Sequence, residues 1–160
     1  MKDITIYTDG SSLGNPGPGG YCAILIYRGV ELIVQGGEPD TTNNRMELTA
    51  LLQALKALKE PCNIKLYTDS QYVAQGISEW LSGWVKKGFR EVKTPDLWRQ
   101  YISLSEPHTI KPHWVKGHSG DLMNEKCDRI ARSQAQQVQN LAQHITHHQK
   151  PCSTCEQPRI

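Results

Sequence analysis

Two aspartates stand in near-identical settings, Ile6-Tyr7-Thr8-Asp9-Gly10 and Leu66-Tyr67-Thr68-Asp69-Ser70. In each, a strand-like run ends in a carboxylate followed by a small residue. Open α/β sheets carry their chemistry in the crevice beyond the carboxyl ends of the strands. If these two strands are parallel neighbours, Asp9 and Asp69 share one edge. At about 4 Å their repulsion costs roughly 4 kcal/mol at an effective dielectric of 20. A bound cation is the simplest way to offset it. The plainer alternative is that each aspartate caps the helix or turn that follows it.

Two further carboxylates extend the set. Glu47 lies in the first turn of a leucine-rich helix, where Leu51 and Leu55 continue its row, so it can face the sheet margin. Its local alternative is a capping box with Asn44. Asp128 occupies the first turn of the last helix, beside Cys127, where a negative charge favours the helix dipole by well under ~1 kcal/mol. Hard cations such as Mg²⁺ take one or two carboxylates per ion and complete the shell with water and substrate phosphate. Four carboxylates suit a pair of ions about 4 Å apart, one activating water and one stabilising the leaving oxygen. His118, in the loop Lys116-Gly117-His118-Ser119-Gly120, can move a proton near neutral pH.

The elements that must position these groups follow from periodicity. Residues 3–9, 21–27 and 30–36 alternate as strands with short links, which makes an antiparallel meander. The Gly/Pro-rich stretch from Gly14 to Gly20 reads as a connection. Leu48, Leu51, Leu52, Leu55 and Leu58 form a helical stripe from Asn44 to Lys59, stopped by Pro61. A strand over 64–69 follows, so the unit is a right-handed crossover between parallel strands. Short helices fall around 71–79 and 96–104. A fifth strand over 109–115 contains Pro112, which implies an edge or a bulge. A last helix starts near Asn124, and from about residue 144 the chain reads as a loosely ordered tail. The fold class is therefore α/β, a five-stranded mixed sheet (three antiparallel strands, two parallel) flanked by helices.

Taken together, Asp9-Gly10-Ser11 with Gly14-Asn15-Pro16-Gly17, Thr42-Asn43-Asn44-Arg45-Met46-Glu47-Leu48, Thr68-Asp69-Ser70-Gln71-Tyr72-Val73, and Trp114-Val115-Lys116-Gly117-His118 with Asn124-Glu125-Lys126-Cys127-Asp128 resemble bacterial ribonuclease HI, in that family's order and with similar spacing. The resemblance spans residues 3 to about 135 and implies a ribonuclease H-like fold. It also implies endonucleolytic hydrolysis of the RNA strand of an RNA–DNA hybrid, leaving 5′-phosphate and 3′-hydroxyl ends. The positions matching Asp9, Glu47, Asp69 and Asp128 then hold two Mg²⁺ ions, with Mn²⁺ as a substitute. The position matching His118 assists proton transfer or product release.

Substrate contacts can be argued from residue chemistry as well. Asn15, Asn43, Asn44 and Gln71 are amides near the metal edge, able to meet 2′-hydroxyls and base edges in a wide minor groove. Thr42, Asn43 and Arg45 sit at a helix N-terminus, which favours phosphate. From Trp80 to Lys93 the chain carries Lys86, Lys87, Arg90 and Lys93 against Glu91 alone, interleaved with Trp80, Trp84 and Phe89. Such a basic, aromatic stripe suits a nucleic-acid backbone. The alternative is a solvated helix whose tryptophans pack inward. In the resembled family this segment is the hybrid-binding handle, here somewhat shorter than in the best-known bacterial form.

At 160 residues with a net charge of +2 and a hydrophobic fraction of 38%, the chain reads as a catalytic domain over 1–142 and a His/Cys-containing tail over 143–160. No apolar run approaches membrane-spanning length, and the start, MKDITIYTD, lacks a signal-peptide pattern, so the expectation is a cytoplasmic monomer that binds RNA–DNA hybrid and no membrane. In the tail, His144, His148, Cys152 and Cys155, with His147 as an alternative, form a string chemically suited to tetrahedral zinc, competing with a plain polar tail. Three other readings compete with this one. An inactive hybrid-binding module gains nothing from clustered negative charge. An aspartyl-nucleophile phosphatase wants a second carboxylate two residues after Asp9, where Ser11 stands. A transposase- or integrase-like nuclease shares the metal logic but lacks the basic handle.

Overall fold

Alternating apolar residues bury one face of β1 (Lys2–Ser12), where Ile4, Ile6 and Thr8 point into the core. In the computed structural model, which describes residues 1–90, 92–117 and 121–147, β1 is the central strand. It pairs antiparallel with β2 (Gly17–Tyr27), and β2 pairs antiparallel with β3 (Val30–Thr41). Arg28 and Gly29, both at positive φ, turn the chain between β2 and β3. The leucine-striped α1 (Asn43–Lys56) crosses over to β4 (Cys62–Thr68), which lies parallel to β1 on its other side. β5 (Thr109–Trp114) adds parallel to β4, so the sheet order is β3-β2-β1-β4-β5.

Helical boundaries differ from those read in the sequence. α1 ends at Lys56 rather than Lys59, so Leu58 lies beyond it. The helix of 71–79 is a longer run: α2 (Gln71–Gln75), a π-helical turn (Gly76–Trp80) and α3 (Leu81–Lys86). α4 (Pro95–Ser105) follows, with proline at its first turn, where its missing N–H costs nothing. α5 (Leu122–His147) begins two residues before Asn124, because Asp121 accepts hydrogen bonds from the Met123 and Asn124 amides at 3.0 Å. It also runs through His147, past the point where loose order was expected.

The Gly/Pro-rich stretch is not simply a connection. Gly17 to Gly20 belong to β2, and Ser11 and Ser12 pair with Gly20 and Gly19. Gly20 has a packing reason: a Cβ there would stand 2.3 Å from the Ala131 carbonyl oxygen of α5. Pro112 is accommodated because β5 is an edge strand, in regular register with Leu66.

The main core lies between the sheet and α1, α2 and α4, and includes Ile6, Leu51, Leu66, Val73 and fully buried Trp98. On the opposite face α5 packs over β1, β2 and β3, burying Cys22, Ile24, Cys127 and Ala131. Among the described residues, no helix is long and apolar enough to cross a membrane.

Candidate active site

The twin motifs are laid side by side by strand pairing. Ile6, Tyr7 and Thr8 of β1 pair in parallel register with Leu66, Tyr67 and Thr68 of β4. Asp9 and Asp69 therefore emerge at the same edge. Neither aspartate acts as a cap. β1 continues three residues beyond Asp9, to Ser12, and α2 is capped by Ser70, whose Oγ accepts from the Val73 amide at 3.1 Å. The end of β4 is held from β5: the Trp114 indole N–H donates to the Asp69 carbonyl at 3.1 Å, and the Val115 amide to the Thr68 carbonyl at 2.9 Å.

Glu47 reaches the same place from α1. The helix is capped by Thr42, whose Oγ1 accepts from the Arg45 amide at 3.2 Å. The Asn44–Glu47 capping box is thus not used, and Glu47 is committed to the sheet edge. Gly10 explains how: a Cβ there would stand 2.3 Å from the Glu47 nitrogen and 2.4 Å from the Met46 carbonyl carbon. Only the residue without a side chain lets α1 lie against β1 so closely. Asp9, Glu47 and Asp69 each offer a carboxylate oxygen within 4.8 Å of the other two.

Two of the trio are buried and Asp69 is half-buried. Asp9 is 2% exposed and Glu47 9%. Asp9 Oδ1 accepts from the Gly10 amide at 2.8 Å. Among the described residues Asp9 Oδ2 and Glu47 Oε2 have no hydrogen-bond partner. Burial first, then the Asp69 and Asp128 charges, push the Asp9 carboxyl up to about 8, against the pull of Glu47. Glu47 is raised well above the usual carboxylate range, by burial and then by Asp9 and Asp69, with the Gly10 amide opposing. Buried carboxylate oxygens without donors, repelling one another, are what a hard divalent cation satisfies. The residues present fit such an ion.

Asp128 is placed differently from the first-turn position read in the sequence, since α5 starts at Leu122 and Asp128 lies in its second turn. It is close enough to Asp9 to raise that carboxyl. It stands outside the trio, and its Oδ2 is ion-paired with Arg132 at 2.9 Å. His118 lies outside the described residues. Its neighbour Gly117 lies against the Asp69 carboxylate, an added Cβ standing 3.2 Å from Oδ2.

The amide residues border this edge. Asn43 Oδ1 accepts from the Ser12 amide at 2.7 Å, and Asn15 Oδ1 accepts from the Asn43 amide at 3.4 Å. Their carbonyl ends fix the local backbone, which leaves the NH₂ donors for a ligand. Asn44 is half-buried and Gln71 exposed. Arg45 is engaged: its guanidinium donates twice to Asp96 of α4, at 3.1 and 2.9 Å. The sequence reading missed Asp96, and its position at the first turn of α4 was the only local signal.

The handle region divides between the two readings offered for it. Lys86, Lys87, Arg90 and Lys93 are exposed. Trp84 packs inward, with ring centroids 5.3 Å from Trp98 and 5.7 Å from Trp80, which is itself 38% exposed. Trp98 donates to the Tyr72 hydroxyl at 3.0 Å, and that hydroxyl shares a 2.8 Å hydrogen bond with Thr94. Gly88 and Phe89, both at positive φ, close the segment, with the Phe89 amide donating to the Trp84 carbonyl at 2.8 Å. The tail zinc set of His144, His148, Cys152 and Cys155 lies outside the described side chains.

The RNase H family model matches residues 1–136. Ribonuclease H of Helicobacter acinonychis is 58% identical over 136 residues, covering 85% of this chain and 95% of the relative. Ribonuclease HI of Helicobacter pylori is 57% identical over 136 residues, with the same coverage. Among solved structures, LC9-RNase H1, described as a type 1 RNase H with the type 2 active-site motif, superposes with a TM-score of 0.78. It is 28% identical, over 86% of this chain and 74% of that one.

Proposed function

The chain belongs to the ribonuclease H family, whose activity is endonucleolytic cleavage of the RNA strand of an RNA–DNA hybrid, and from that premise we propose a two-metal-ion hydrolysis leaving 5′-phosphate and 3′-hydroxyl ends. The observation that carries the reading is the close trio of Asp9, Glu47 and Asp69, with an unpartnered buried oxygen on each of Asp9 and Glu47. These three residues would hold one ion, and Asp9 with Asp128 would reach the second. When bound, Mg²⁺ or Mn²⁺ supplies an activated water and charge stabilisation of the leaving oxygen.

The protein's own groups do the rest. The amides of Asn15, Asn43, Asn44 and Gln71, and the Thr42 end of α1, meet the sugar edge and backbone of the RNA strand. Lys86 and Lys87, on the segment braced by Trp80 and Trp84, meet the phosphates of the DNA strand. Arg45 positions α1 against α4 through Asp96 and is reached by phosphate only in competition with that carboxylate. His118 is assigned proton transfer to the leaving 3′-oxygen or release of the product. In the net reaction water oxygen bonds to phosphorus, the P–O3′ bond breaks, and a proton ends on O3′. The site is built by one chain, which suits a monomer, and buried unpaired Cys22, Cys62 and Cys127 suit the reducing cytoplasm.

The test is labelled RNA–DNA hybrid, duplex RNA and duplex DNA, each with Mg²⁺ or chelator. We expect cutting of the RNA strand of the hybrid only, and only with metal. Equal cutting of all three, or activity that survives chelation, refutes the reading.

A further inference from the structure

α5 covers β1, β2 and β3, and among the described residues the same face of β4 and β5 is open. There Lys65, Lys111 and His113 are exposed and Tyr67 is half-buried. Strand register arranges this face in rows. Thr5, Lys65 and Lys111 are level with one another, and Tyr7, Tyr67 and His113 form the next row. Asp9 and Asp69 stand two residues further along, at the metal edge. Rows two residues apart on one face are separated by ~6.6 Å.

Each row has an unusual property. The rings of Tyr7 and Tyr67 are stacked, with centroids 5.0 Å apart and 17° between planes. Those of Tyr67 and His113 stack at 5.1 Å and 22°. Tyr7 packs against the α5 cluster, so the stack is anchored at one end and open at the His113 end. In the other row two lysines sit directly opposite each other, an arrangement that destabilises a sheet. Among the described residues neither makes an ion pair. A cavity of about 440 Å³ is lined by Thr5, Lys65, Lys111 and Asp3 among others; the Asp3 carboxylate accepts from the Asn63 side-chain NH₂ at 3.3 Å.

We propose that this open face binds single-stranded RNA continuous with the hybrid at the carboxylate edge, with bases extending the aromatic stack and phosphate meeting Lys65 and Lys111. The proposal rests on the hybrid-nuclease reading of the site. Charge selects a polyanion for the lysine pair. An open aromatic stack selects unpaired bases, since duplex bases already stack on one another and keep their faces inside. Continuity with Asp9 and Asp69 selects the strand that is cut, and the row spacing suits one nucleotide of an extended chain.

The experiment measures binding by fluorescence anisotropy in chelator, so that nothing is cleaved. The probes are a blunt RNA–DNA hybrid and the same hybrid carrying a single-stranded RNA extension at its 5′ or its 3′ end. We expect one of the two extensions to tighten binding about fivefold or more. The double substitution Lys65→Gln/Lys111→Gln should remove that gain and lower the salt slope of binding by about 1.4. His113→Ala and Tyr67→Ala should also remove it, and Tyr67→Phe should retain it. Blunt-hybrid binding, blunt-hybrid cleavage and melting temperature should stay as in the parent for the lysine and histidine variants. No gain from either extension, or equal weakening on blunt and extended probes, overturns the proposal. Self-association of the parent that the same variants abolish would instead assign the face to a second copy of the chain. If the parent fails to cut the blunt hybrid with Mg²⁺, the reading of the active site fails independently of RNA binding at the open face.

Discussion

Asp9→Asn should stabilise the metal-free protein, by an amount that grows with pH. In the fold the Asp9 carboxyl is raised from 3.8 to about 8. The folded state therefore holds a proton that the unfolded chain has released, and stability falls as pH rises from about 4 to about 8. At about 1.4 kcal/mol per pH unit, that interval spans ~6 kcal/mol if Asp9 alone carried the proton. Glu47 and Asp69 crowd the same site, so one shared proton relieves most of the repulsion and only part of the total belongs to Asp9. We take ~2 kcal/mol as the difference between variant and parent near pH 8, falling towards zero near pH 4. Asparagine keeps an oxygen to accept from the Gly10 amide and brings an NH₂ beside the unpartnered Glu47 oxygen, so no new unsatisfied group arises. The assay is urea unfolding of both proteins with chelator across pH 5 to 8. A gap of ~2 kcal/mol corresponds to a shift of roughly 6 °C in thermal midpoint for a chain of this size. Adding Mg²⁺ should raise the parent and leave the variant unmoved. Parallel pH profiles for the two proteins would refute the account of the carboxylate cluster.

Further outcomes follow from the same geometry. Asp69→Asn should abolish cleavage while hybrid binding, measured by anisotropy, stays equal or becomes tighter; loss of binding would make Asp69 structural. Gly10→Ala forces a Cβ into the α1 backbone, so unfolding measurements should show a loss of about 2 kcal/mol or more and cleavage should fall with it. Asp96→Asn loosens a pair that is half-exposed, so stability should drop by under ~1 kcal/mol while the KM for hybrid at low salt falls, because Arg45 is released to phosphate. Trp98→Ala empties the core beneath the handle and strands the Tyr72–Thr94 hydroxyl pair, for a loss of ~3–5 kcal/mol in chemical unfolding.

Local pattern was a good guide wherever one residue type answered one local demand. The leucine stripe of α1 from Leu48 to Leu55, the alternation of β1 and the Pro112 edge strand are all of this kind, and each is where the sequence placed it. Boundaries were less legible. Gly17 to Gly20 read as a connection because glycine is poor in strands, yet they belong to β2, where Gly20 lets α5 approach. The helical run that starts at Gln71 passes residue 79 because a π turn carries the chain on to Lys86, and nothing local signals that turn.

The sequence by itself singled out the candidate groups: two Tyr-Thr-Asp strands, a glutamate on a helical stripe and the motif order of a known family. The tertiary structure decided how those groups stand. Parallel register aligned the twin motifs residue for residue, and close packing at Gly10 brought Glu47 within 4.8 Å of both aspartates. It also placed Asp128 a step aside with Arg132, tied Arg45 to Asp96, and turned Trp84 inward. Partners of this kind lie far apart in the chain and are chosen by packing, whose directions a one-dimensional pattern does not contain. The raised carboxyl of Asp9 belongs to the same class, since burial and neighbouring charge exist only once the chain has folded.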